Sequence, residues 1–589
     1  MKAYITQIKM SLLLMTRNRG AFIMGYGFPL AFLLLFGAFG GSTVAGTAMG
    51  MVLTIGVLGT GLFGGAMVPV MNREQNILRR FKVAPITPGP ILVSGIVAGL
   101  VMYLPMAFLM MLLANRLYHV PFPAQPVSLF LFIAIGVIAF CTIGNMIASV
   151  VNTMQEAQLV IQLVYIPSLM LSGATFPIFM LPSWLQILSQ FLPATHFYTG
   201  AQSILRGRET IVDNLSAVGA LMLTTVIGTL LAFKLFRWEK EEKVKPSAKA
   251  WLVASLAPFL VMGVYQAYAK TNIERAQLLL RDQARTHPWL IHDARIFTGD
   301  GQVIERGSVL TKNGKIEHIY IGDAPDAKSL DAEAIEAAGK TLLPGLIDTR
   351  IHLMSELAGM ENGKSSPAEA VAHDLAAYLY SGVTAVNNNE TNDMIKSAID
   401  AAASGTKLGV EVFNIQVAES PSLVACEGLS AAMHKSTAPL DRSGLIKQVA
   451  PVAQLERVKT EAAKVPERPG FSCEPMKLAL QNALASGAPF SPASNAGSPL
   501  VVHGPGVHRE LQLWVAAGVP TAVALQAATT KAAKLLHAEN RMGVIKPGFE
   551  ANLLLVDGNP LEDIAATERI SLVLFKGEAV NRGRIFNQK

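Results

Sequence analysis

The sequence carries little charge for its length. Charged residues make up 15% of its 589 residues, whereas hydrophobic residues make up 51%. In typical soluble domains about a quarter of the residues are charged, so this composition predicts segments that are buried in a bilayer. Long uncharged runs fill the first 270 residues, and the remainder has the composition of an ordinary soluble domain. We therefore expect a membrane-embedded part followed by a soluble part.

Cysteine is also scarce, with single residues at Cys141, Cys426 and Cys473. Cys141 lies in an apolar run, and no CxxC pair of the kind found in structural zinc sites occurs. The two later cysteines leave two alternatives open. They could pair if their part of the chain lies outside the cytoplasm, but the simpler interpretation is two unpaired thiols.

A phosphate-binding loop is missing from the sequence. No G-x-x-x-x-G-K-[ST] motif occurs, and the glycine-rich segment 59–65 has no lysine and lies within an apolar run. The formal net charge is +7, but the basic residues of the first part lie beside apolar runs. That placement is typical of membrane topology and not of a nucleic-acid surface. We expect no ATP hydrolysis by this chain and no nucleic-acid partner.

Seven apolar segments approach the roughly 20 residues that are needed to cross about 30 Å of hydrocarbon. Basic residues are concentrated in the loops of one side, which predicts a cytoplasmic N-terminus in a cell (inner) membrane. If the seventh segment spans, the C-terminal part lies outside the cytoplasm. The first segment lacks a cleavage site and is expected to be a retained span. The predicted segments are 20–40, 45–70, 91–114, 127–151, 159–179, 215–236 and 250–269.

Three local features occur in order along these segments. Residues 1–19 mix apolar and basic side chains, as an interfacial helix does. Residues 72–88 read NREQNILRRFKVAPITP, a charged stretch that returns to the bilayer through Pro85 and Pro88. Residues 171–196 contain LSGATFP, LPSWL and LPATH, in which prolines interrupt helices at membrane depth. Together these features resemble the type-2 family of ABC export permeases.

This resemblance covers residues 1 to about 240 and implies the permease subunit of an exporter. ATP would act through a separate ABC ATPase subunit, and no cofactor is expected in this chain. Six spans form half a pore in this family, which implies a homodimer or a paired permease surrounded by membrane lipid. The sequence does not identify the exported substrate. The residues that the resemblance assigns to ATPase docking are Arg73, Glu74, Arg79, Arg80 and Pro85.

The second part changes to short β-type runs from about Trp289. Asn313 and Gly314 lie between two apolar runs, which is a strong hairpin signal. Residues 339–352 read GKTLLPGLIDTRIH and resemble the first barrel strand of the amidohydrolase superfamily, close to imidazolonepropionases and prolidases. The closing stretch 508–560 resembles the last helices and return strands of that family.

The predicted fold is therefore an α-helical polytopic membrane domain, with six spans and a seventh linker span, followed by an α/β domain. We predict the membrane domain at 1–240, the charged linker and seventh span at 241–270, and the amidohydrolase-like domain at 271–589. The resemblance implies an incomplete TIM-like barrel over 344–539. A small β-sandwich would be formed by residues 284–343 and 540–589.

The metal ligands of that family are depleted in this sequence. The H-x-H pair reads R-I-H at 350–352, so a guanidinium replaces an imidazole. The T-D-A-G-like segment reads SNAG at 494–497, so an amide replaces the aspartate that would serve as base and ligand. His352 and Asn495 are thus expected to be remnants of an inactive site. Three later histidines are expected to be structural: His503, His508 and His537.

Two alternatives to an exporter with an inactive appended domain stay open. One is a membrane-anchored, zinc-dependent amidohydrolase that cleaves non-peptide or dipeptide-like C–N bonds. Its rearranged site would use His352 and His434, with Asp348 or Asn495 and with Glu390, although no spacing argument supports this set. The other is a fusion of two neighbouring reading frames that functions only in its first part.

Overall fold

The computed structural model contains two compact units, Met1–Leu280 and Arg281–Lys589. Each unit is described separately, and the domain boundaries given above stay predictions. The residues that the structure describes are 2–17, 26–82, 87–206, 209–239, 242, 256–269, 271–353, 366–390, 392–417 and 420–587.

The first unit is built from helices. Four helical segments are long and apolar enough to cross a membrane, namely Ala48–Glu74, Gly89–Tyr118, Pro126–Val150 and Leu215–Lys234. The predicted helical membrane-type region is thereby confirmed, whereas the count of seven spans stays a prediction. The helices are α1 (Lys2–Arg17), α2 (Phe28–Glu74), α3 (Ile77–Lys82), α4 (Gly89–Tyr118), α5 (Pro126–Val150), α6 (Met154–Leu171), α7 (Ser183–Ser189), α8 (Pro193–Arg206), α9 (Leu215–Lys234), α10 (Leu256–Ala269) and α11 (Thr271–Thr286).

Helices α2 and α5 approach each other closely because glycines line their contact. A Cβ atom on Gly65 would lie 2.5 Å from the carbonyl oxygen of Cys141. A Cβ atom on Gly144 would lie 2.6 Å from the carbonyl oxygen of Gly61. Small residues of this kind let backbones pack where lipid provides no hydrophobic driving force between helices.

The boundary predicted between the first two spans is not present in the structure. Segments 20–40 and 45–70 fall largely within the single helix α2, which has 47 residues. Such a helix is about 70 Å long, more than twice the hydrocarbon thickness. The intervening residues 41–44 contain neither proline nor charge, and a glycine costs a helix only about 1 kcal/mol. Nothing in the local sequence therefore stops the helix there.

The second unit contains an eight-stranded sheet with the order β11-β10-β9-β5-β1-β2-β3, in which β4 pairs with β1. Strands β2 and β3 form the predicted hairpin, and Asn313 and Gly314 have φ values of 53° and 75°. This hairpin prediction is confirmed. The strands are β1 (Trp289–Phe297), β2 (Val303–Lys312), β3 (Lys315–Ile321), β4 (Glu333–Glu336), β5 (Lys340–Pro344), β9 (Leu553–Asp557), β10 (Ile570–Phe575) and β11 (Glu578–Ala579).

A second, parallel sheet contains β6 (Leu346–Ile351), β7 (Val383–Asn388) and β8 (Glu411–Phe413). On the other side of β6, the backbone of Ala496 forms an isolated parallel bridge with Ile351. The α/β character of this unit is confirmed. A TIM barrel closes with eight parallel strands, so the barrel assignment stays a prediction.

The second unit also contains helices, several of which contribute residues to its hydrophobic core. They are α12 (Pro367–Tyr380), α13 (Asp393–Ser404), α14 (Leu423–Met433), α15 (Gly444–Val449), α16 (Val452–Ala463), α17 (Glu474–Ser486), α18 (Gly506–Ala516), α19 (Thr521–Gln526) and α20 (Ala532–Leu535).

Cys426 and Cys473 form a disulfide, with Cα atoms 5.8 Å apart. The interpretation as two unpaired thiols is therefore wrong. The bond joins α14 to the residue before α17 and closes a sequence separation of 47 residues. Sequence spacing alone does not reveal such a pairing, because it depends on how the two helices pack. Cys141 is free and buried.

Candidate functional site

The predicted docking segment contains the short helix α3. Arg79 and Arg80 are both exposed on this helix. The side chain of Arg79 lies 3.9 Å from a carboxylate oxygen of Glu239, and 68% of that side chain is exposed. Pro85 lies outside the described residues. Two of the five predicted docking residues therefore present their cations to the surroundings.

Arg73 and Glu74 have a different environment from the one expected. Arg73 is 2% exposed, and its Nη2 donates to the carbonyl oxygens of Ala148, at 2.6 Å, and Val151. A carboxylate oxygen of Glu74 accepts a hydrogen bond from the backbone N–H of Met154 at 3.0 Å. These two side chains connect the end of α2 to the turn between α5 and α6. Arg73 is therefore buried within the first unit, and its part in docking stays a prediction.

In the second unit, the structure brings His352, Glu390 and Asn495 together. The Nδ1 atom of His352 lies 3.0 Å from Oε1 of Glu390, and its Nε2 atom lies 3.2 Å from Oδ1 of Asn495. His352 follows β6, and Glu390 follows β7. Asn495 is held beside β6 by the hydrogen bond of its N–H to the carbonyl of Arg350 at 3.0 Å. The three side chains therefore meet where parallel strands end, the usual edge for sites in such sheets.

Both ring nitrogens of His352 are occupied by neighbouring side chains. An oxygen of Glu390 faces Nδ1, and an oxygen of Asn495 faces Nε2. A metal ion would need one of these nitrogens, so Asn495 or Glu390 would first have to move away.

The other residues of the rearranged-site alternative lie elsewhere. Asp348 is fully buried and accepts hydrogen bonds from the backbone N–H and the hydroxyl of Ser494. Burial raises its pKa to about 6, although the bonds from Ser494 oppose this rise. His434 is exposed at the end of α14, and its Nδ1 lies 2.7 Å from the carbonyl oxygen of Ser430 on the same helix. Neither side chain joins the contacts that His352 makes with Glu390 and Asn495.

The later histidines have contacts of a structural kind. His503 is buried and lies 3.0 Å from the hydroxyl of Tyr378. His508 is also buried, lies 2.8 Å from the carbonyl oxygen of Ser381, and has a pKa lowered by burial. His537 is exposed. Among the residues described, no group of three or more His, Cys, Asp or Glu side chains is arranged to hold a metal ion.

Two polar anchors in the first unit were not found from the sequence. Arg237, which follows α9, binds carbonyl oxygens at the end of α5. Asn272, at the start of α11, donates to Oε1 of Gln190 at 2.9 Å and lies 3.3 Å from Nδ1 of His196. In the sequence, Arg237 is one of several basic residues beside an apolar run and has no other distinguishing mark. Asn272 follows shortly after the apolar segment 250–269, and a polar residue at that position is a weak sequence signal for such an anchor.

Comparisons with known proteins find a family match over part of each unit. Residues 37–234 match the family described as "ABC-2 family transporter protein", and residues 501–580 match the "Amidohydrolase family". The resemblances predicted from the sequence are thereby confirmed for both parts of the chain. The first part is similar to membrane transporter permeases, and the second carries an amidohydrolase-like region.

Individual relatives are similar over limited lengths. The chain is 29% identical over 161 residues to "Inner membrane transport permease YhhJ" of Escherichia coli (strain K12), covering 27% of this chain and 42% of that protein. It is 33% identical over 105 residues to "Nodulation protein J" of Rhizobium leguminosarum bv. trifolii, covering 18% of this chain and 40% of that protein. The chain thus spans less than half the length of either relative.

A solved structure titled "Crystal structure of a Xaa-Pro dipeptidase with bound methionine in the active site" is similar over 50% of this chain and 99% of its own. Its TM-score is 0.36 and its sequence identity is 19%. Because both values are low, the assignment of the second unit rests on the amidohydrolase match over residues 501–580.

Proposed function

We propose that this chain is the permease subunit of an ABC-type exporter, which moves its substrate with a separate ATPase subunit and carries a catalytically inactive amidohydrolase-like domain. The observation that supports it best is the exposed basic helix α3, which lies between the apolar helices α2 and α4 within the ABC-2 match. A short, charged element between two membrane helices suits docking of a soluble partner. A paired permease, most simply a homodimer, would complete the pore.

Affinity purification from membranes tests this function. A tagged full-length chain is expected to retain an ABC ATPase in mild detergent, and ATP hydrolysis in the preparation should be sensitive to vanadate. A matched control is the same chain carrying a deletion of residues 77–82, which removes α3. Recovery of equal ATPase with both chains, or of none with the full-length chain, would contradict the proposal.

The proposed topology has a cytoplasmic α3, a membrane crossing between residues 242 and 272, and an extracytoplasmic second unit. Arg237 binds the C-terminal end of α5, and its Nη1 donates to the carbonyl oxygen of Glu242 at 2.9 Å. Phe197 instead stacks on Phe132 near the start of α5, with ring centroids 5.6 Å apart. Positions 132 and 150 on α5 are separated by about 27 Å along a helix. Residue 242 and the neighbourhood of Phe197 therefore mark opposite ends of α5.

The chain beyond residue 242 supports a crossing between these ends. Asn272 contacts His196, the neighbour of Phe197 on α8, and Arg275 donates to Oδ1 of Asn214 at 3.0 Å. The apolar helix α10 lies between the two anchored positions. The disulfide between Cys426 and Cys473 also supports an oxidising compartment for the second unit.

Reporter fusions are expected to detect this topology. Alkaline phosphatase, which folds only after export, should be active when fused after Lys589 and inactive when fused after Glu242. A cytoplasmic reporter such as green fluorescent protein should show the opposite pattern. An inactive phosphatase together with fluorescence after Lys589 would place the second unit in the cytoplasm, and an active phosphatase after Glu242 would contradict a crossing between residues 242 and 272.

A second candidate function is a membrane-anchored, zinc-dependent amidohydrolase. The contact of His352 with Glu390 at the end of the parallel strands favours it. The donor set fits poorly, because catalytic zinc is held by three protein ligands of the His, Asp, Glu or Cys type. This cluster offers one imidazole and one carboxylate, and its third member is the neutral amide of Asn495. We therefore infer that zinc does not bind there and that the domain is inactive.

Elemental analysis and an activity assay distinguish the two functions. The purified full-length protein is expected to contain less than about 0.1 zinc per chain after dialysis, because three ligands are needed for tight binding. It should release no product from acyl-amino-acid or dipeptide substrates. Stoichiometric zinc, with turnover that His352→Ala abolishes and the control His434→Ala retains, would favour the hydrolase instead.

A further inference from the structure

The C-terminal end of α5 is bound by two buried arginines from distant parts of the chain. The last carbonyl groups of a helix have no partners within the helix, and they form the negative end of its dipole. Arg73 donates to the carbonyl oxygens of Ala148 and Val151. Guanidinium groups suit this task because they direct several N–H donors from one rigid plane.

Arg237 binds the remaining carbonyls of the same helix end. Its Nε donates to Ser149 at 3.0 Å, and its Nη2 donates to Val150 at 2.8 Å and to Val151 at 2.9 Å. Its Nη1 also donates to Oδ1 of Asn152 at 2.9 Å. Arg237 is only 6% exposed. Arg73 and Arg237 together therefore satisfy four successive carbonyl oxygens at residues 148–151.

The start of α6 is held by carboxylates on the same side. Glu74 accepts from the N–H of Met154, and Glu156 accepts from the N–H of Asn152 at 2.7 Å. Thr153 caps α6 by accepting from the N–H of Glu156 at 3.2 Å. We call residues 148–154, from the last turn of α5 to the first residue of α6, the α5–α6 turn. The carbonyl groups of residues 148–151 face arginines, and the amide groups of Asn152 and Met154 face glutamates, so both polarities of the backbone are matched.

Two of these side chains, Arg73 and Glu74, lie directly before the proposed docking helix in the chain. Arg73 and Glu74 are followed after two residues by α3 (Ile77–Lys82). On the other side, Arg79 of α3 is ion-paired with Glu239, two residues beyond Arg237. Helix α3 is thus connected to the α5–α6 turn directly through the chain at Arg73 and Glu74, and more weakly through the exposed ion pair of Arg79 with Glu239. A displacement of α3 would act on both arginines, and these arginines hold the turn through short, directional hydrogen bonds.

We infer that Arg73, Glu74 and Arg237 are positioning residues that transmit movements of α3 to the α5–α6 turn, and hence to α6. This inference rests on the proposed function, because it assumes that an ATPase moves α3. In this inference, exposed side chains such as those of Arg79 and Arg80 contact the ATPase, whereas Arg73 and Glu74 connect α3 to the α5–α6 turn. The structural basis is a hydrogen-bond network. Arg73 and Arg237 donate to the four carbonyl groups of residues 148–151, and Glu74 accepts from the N–H of Met154.

Hydrogen exchange of the purified permease–ATPase complex tests the inference without a known substrate. Exchange is compared between nucleotide-free complex and complex trapped with ATP and vanadate. In the wild-type complex, nucleotide should change amide exchange both at α3 (Ile77–Lys82) and over residues 151–160. In Glu74→Ala and in Arg237→Lys, α3 should still respond, but the change over 151–160 should fall at least about threefold.

Conservative variants separate transmission from a merely structural role. Glu74→Gln keeps an oxygen that accepts from Met154 and should respond like the wild type. Arg73→Lys keeps the charge but directs fewer donors at the carbonyls, so its response should be intermediate. The inference is overturned if nucleotide changes the exchange over residues 151–160 in Glu74→Ala and Arg237→Lys as much as it does in the wild type, while α3 also responds. Absence of an ATPase from the wild-type preparation would instead overturn the proposed function.

Discussion

Reversal of both exposed charges on α3, as Arg79→Glu with Arg80→Glu, is expected to lower the amount of co-purifying ATPase by at least about tenfold. Charges on a docking surface meet complementary charges on the partner, and placing like charges opposite each other costs several kcal/mol. Each 1.4 kcal/mol corresponds to about a factor of ten in affinity. The measurement is the ratio of ATPase to permease after affinity purification from membranes.

The charge-preserving pair Arg79→Lys with Arg80→Lys is the matched control, and it should retain most of the ATPase. Loss of folded protein is not the expected cause of the effect, because both side chains are exposed. The ion pair of Arg79 with Glu239 is largely solvated, and pairs of this kind contribute at most about 1 kcal/mol. Undiminished co-purification with the double reversal would show that α3 is not the docking element.

Removal of the disulfide, as Cys426→Ser, is expected to lower the free energy of unfolding of the second unit by about 4 kcal/mol. The bond closes a sequence separation of 47 residues, and a loop of this size restricts the unfolded chain substantially. The measurement is urea denaturation of the detergent-solubilised full-length protein. Unfolding of the second unit is followed by the change in fluorescence as Trp514, which is buried in its core, becomes exposed. The loss should also appear as faster proteolysis within residues 420–490.

Cys141→Ser is the matched control, since Cys141 is free and belongs to the first unit. It should leave the unfolding of the second unit unchanged. In intact membranes, Cys426 and Cys473 of the wild type should react with a maleimide only after reduction. Ready labelling of both without reduction, together with equal stability of Cys426→Ser and wild type, would mean that the bond does not form in the cell.

The membrane character of the first unit could be predicted from the sequence because it depends on local composition. Runs of about 20 apolar residues and the placement of basic residues beside them are visible without any tertiary contact. The hairpin at Asn313 and Gly314 was predictable for a similar reason, since its backbone conformation depends on these two residues. The family resemblances likewise rested on short stretches of contiguous sequence.

The helix boundary between the first two predicted spans could not be placed in the same way. A bilayer of fixed thickness suggested a break near residue 41, but the sequence there has no strong helix breaker. Helix α2 continues through it to Glu74. The argument from membrane thickness and the argument from local helix propensity give different answers at this position.

The sequence by itself determined which side chains are available, namely His352 after Arg350 and Ile351, and Asn495 within the segment SNAG. Only the tertiary structure decided what these side chains contact. It placed Glu390 against His352, joined Cys426 to Cys473, and buried Arg73 while Arg79 and Arg80 stay exposed. The physical reason is the distance along the chain. Composition and periodicity act over a few neighbouring residues, whereas these contacts join positions 38 to 78 residues apart, whose proximity arises only when helices and strands pack.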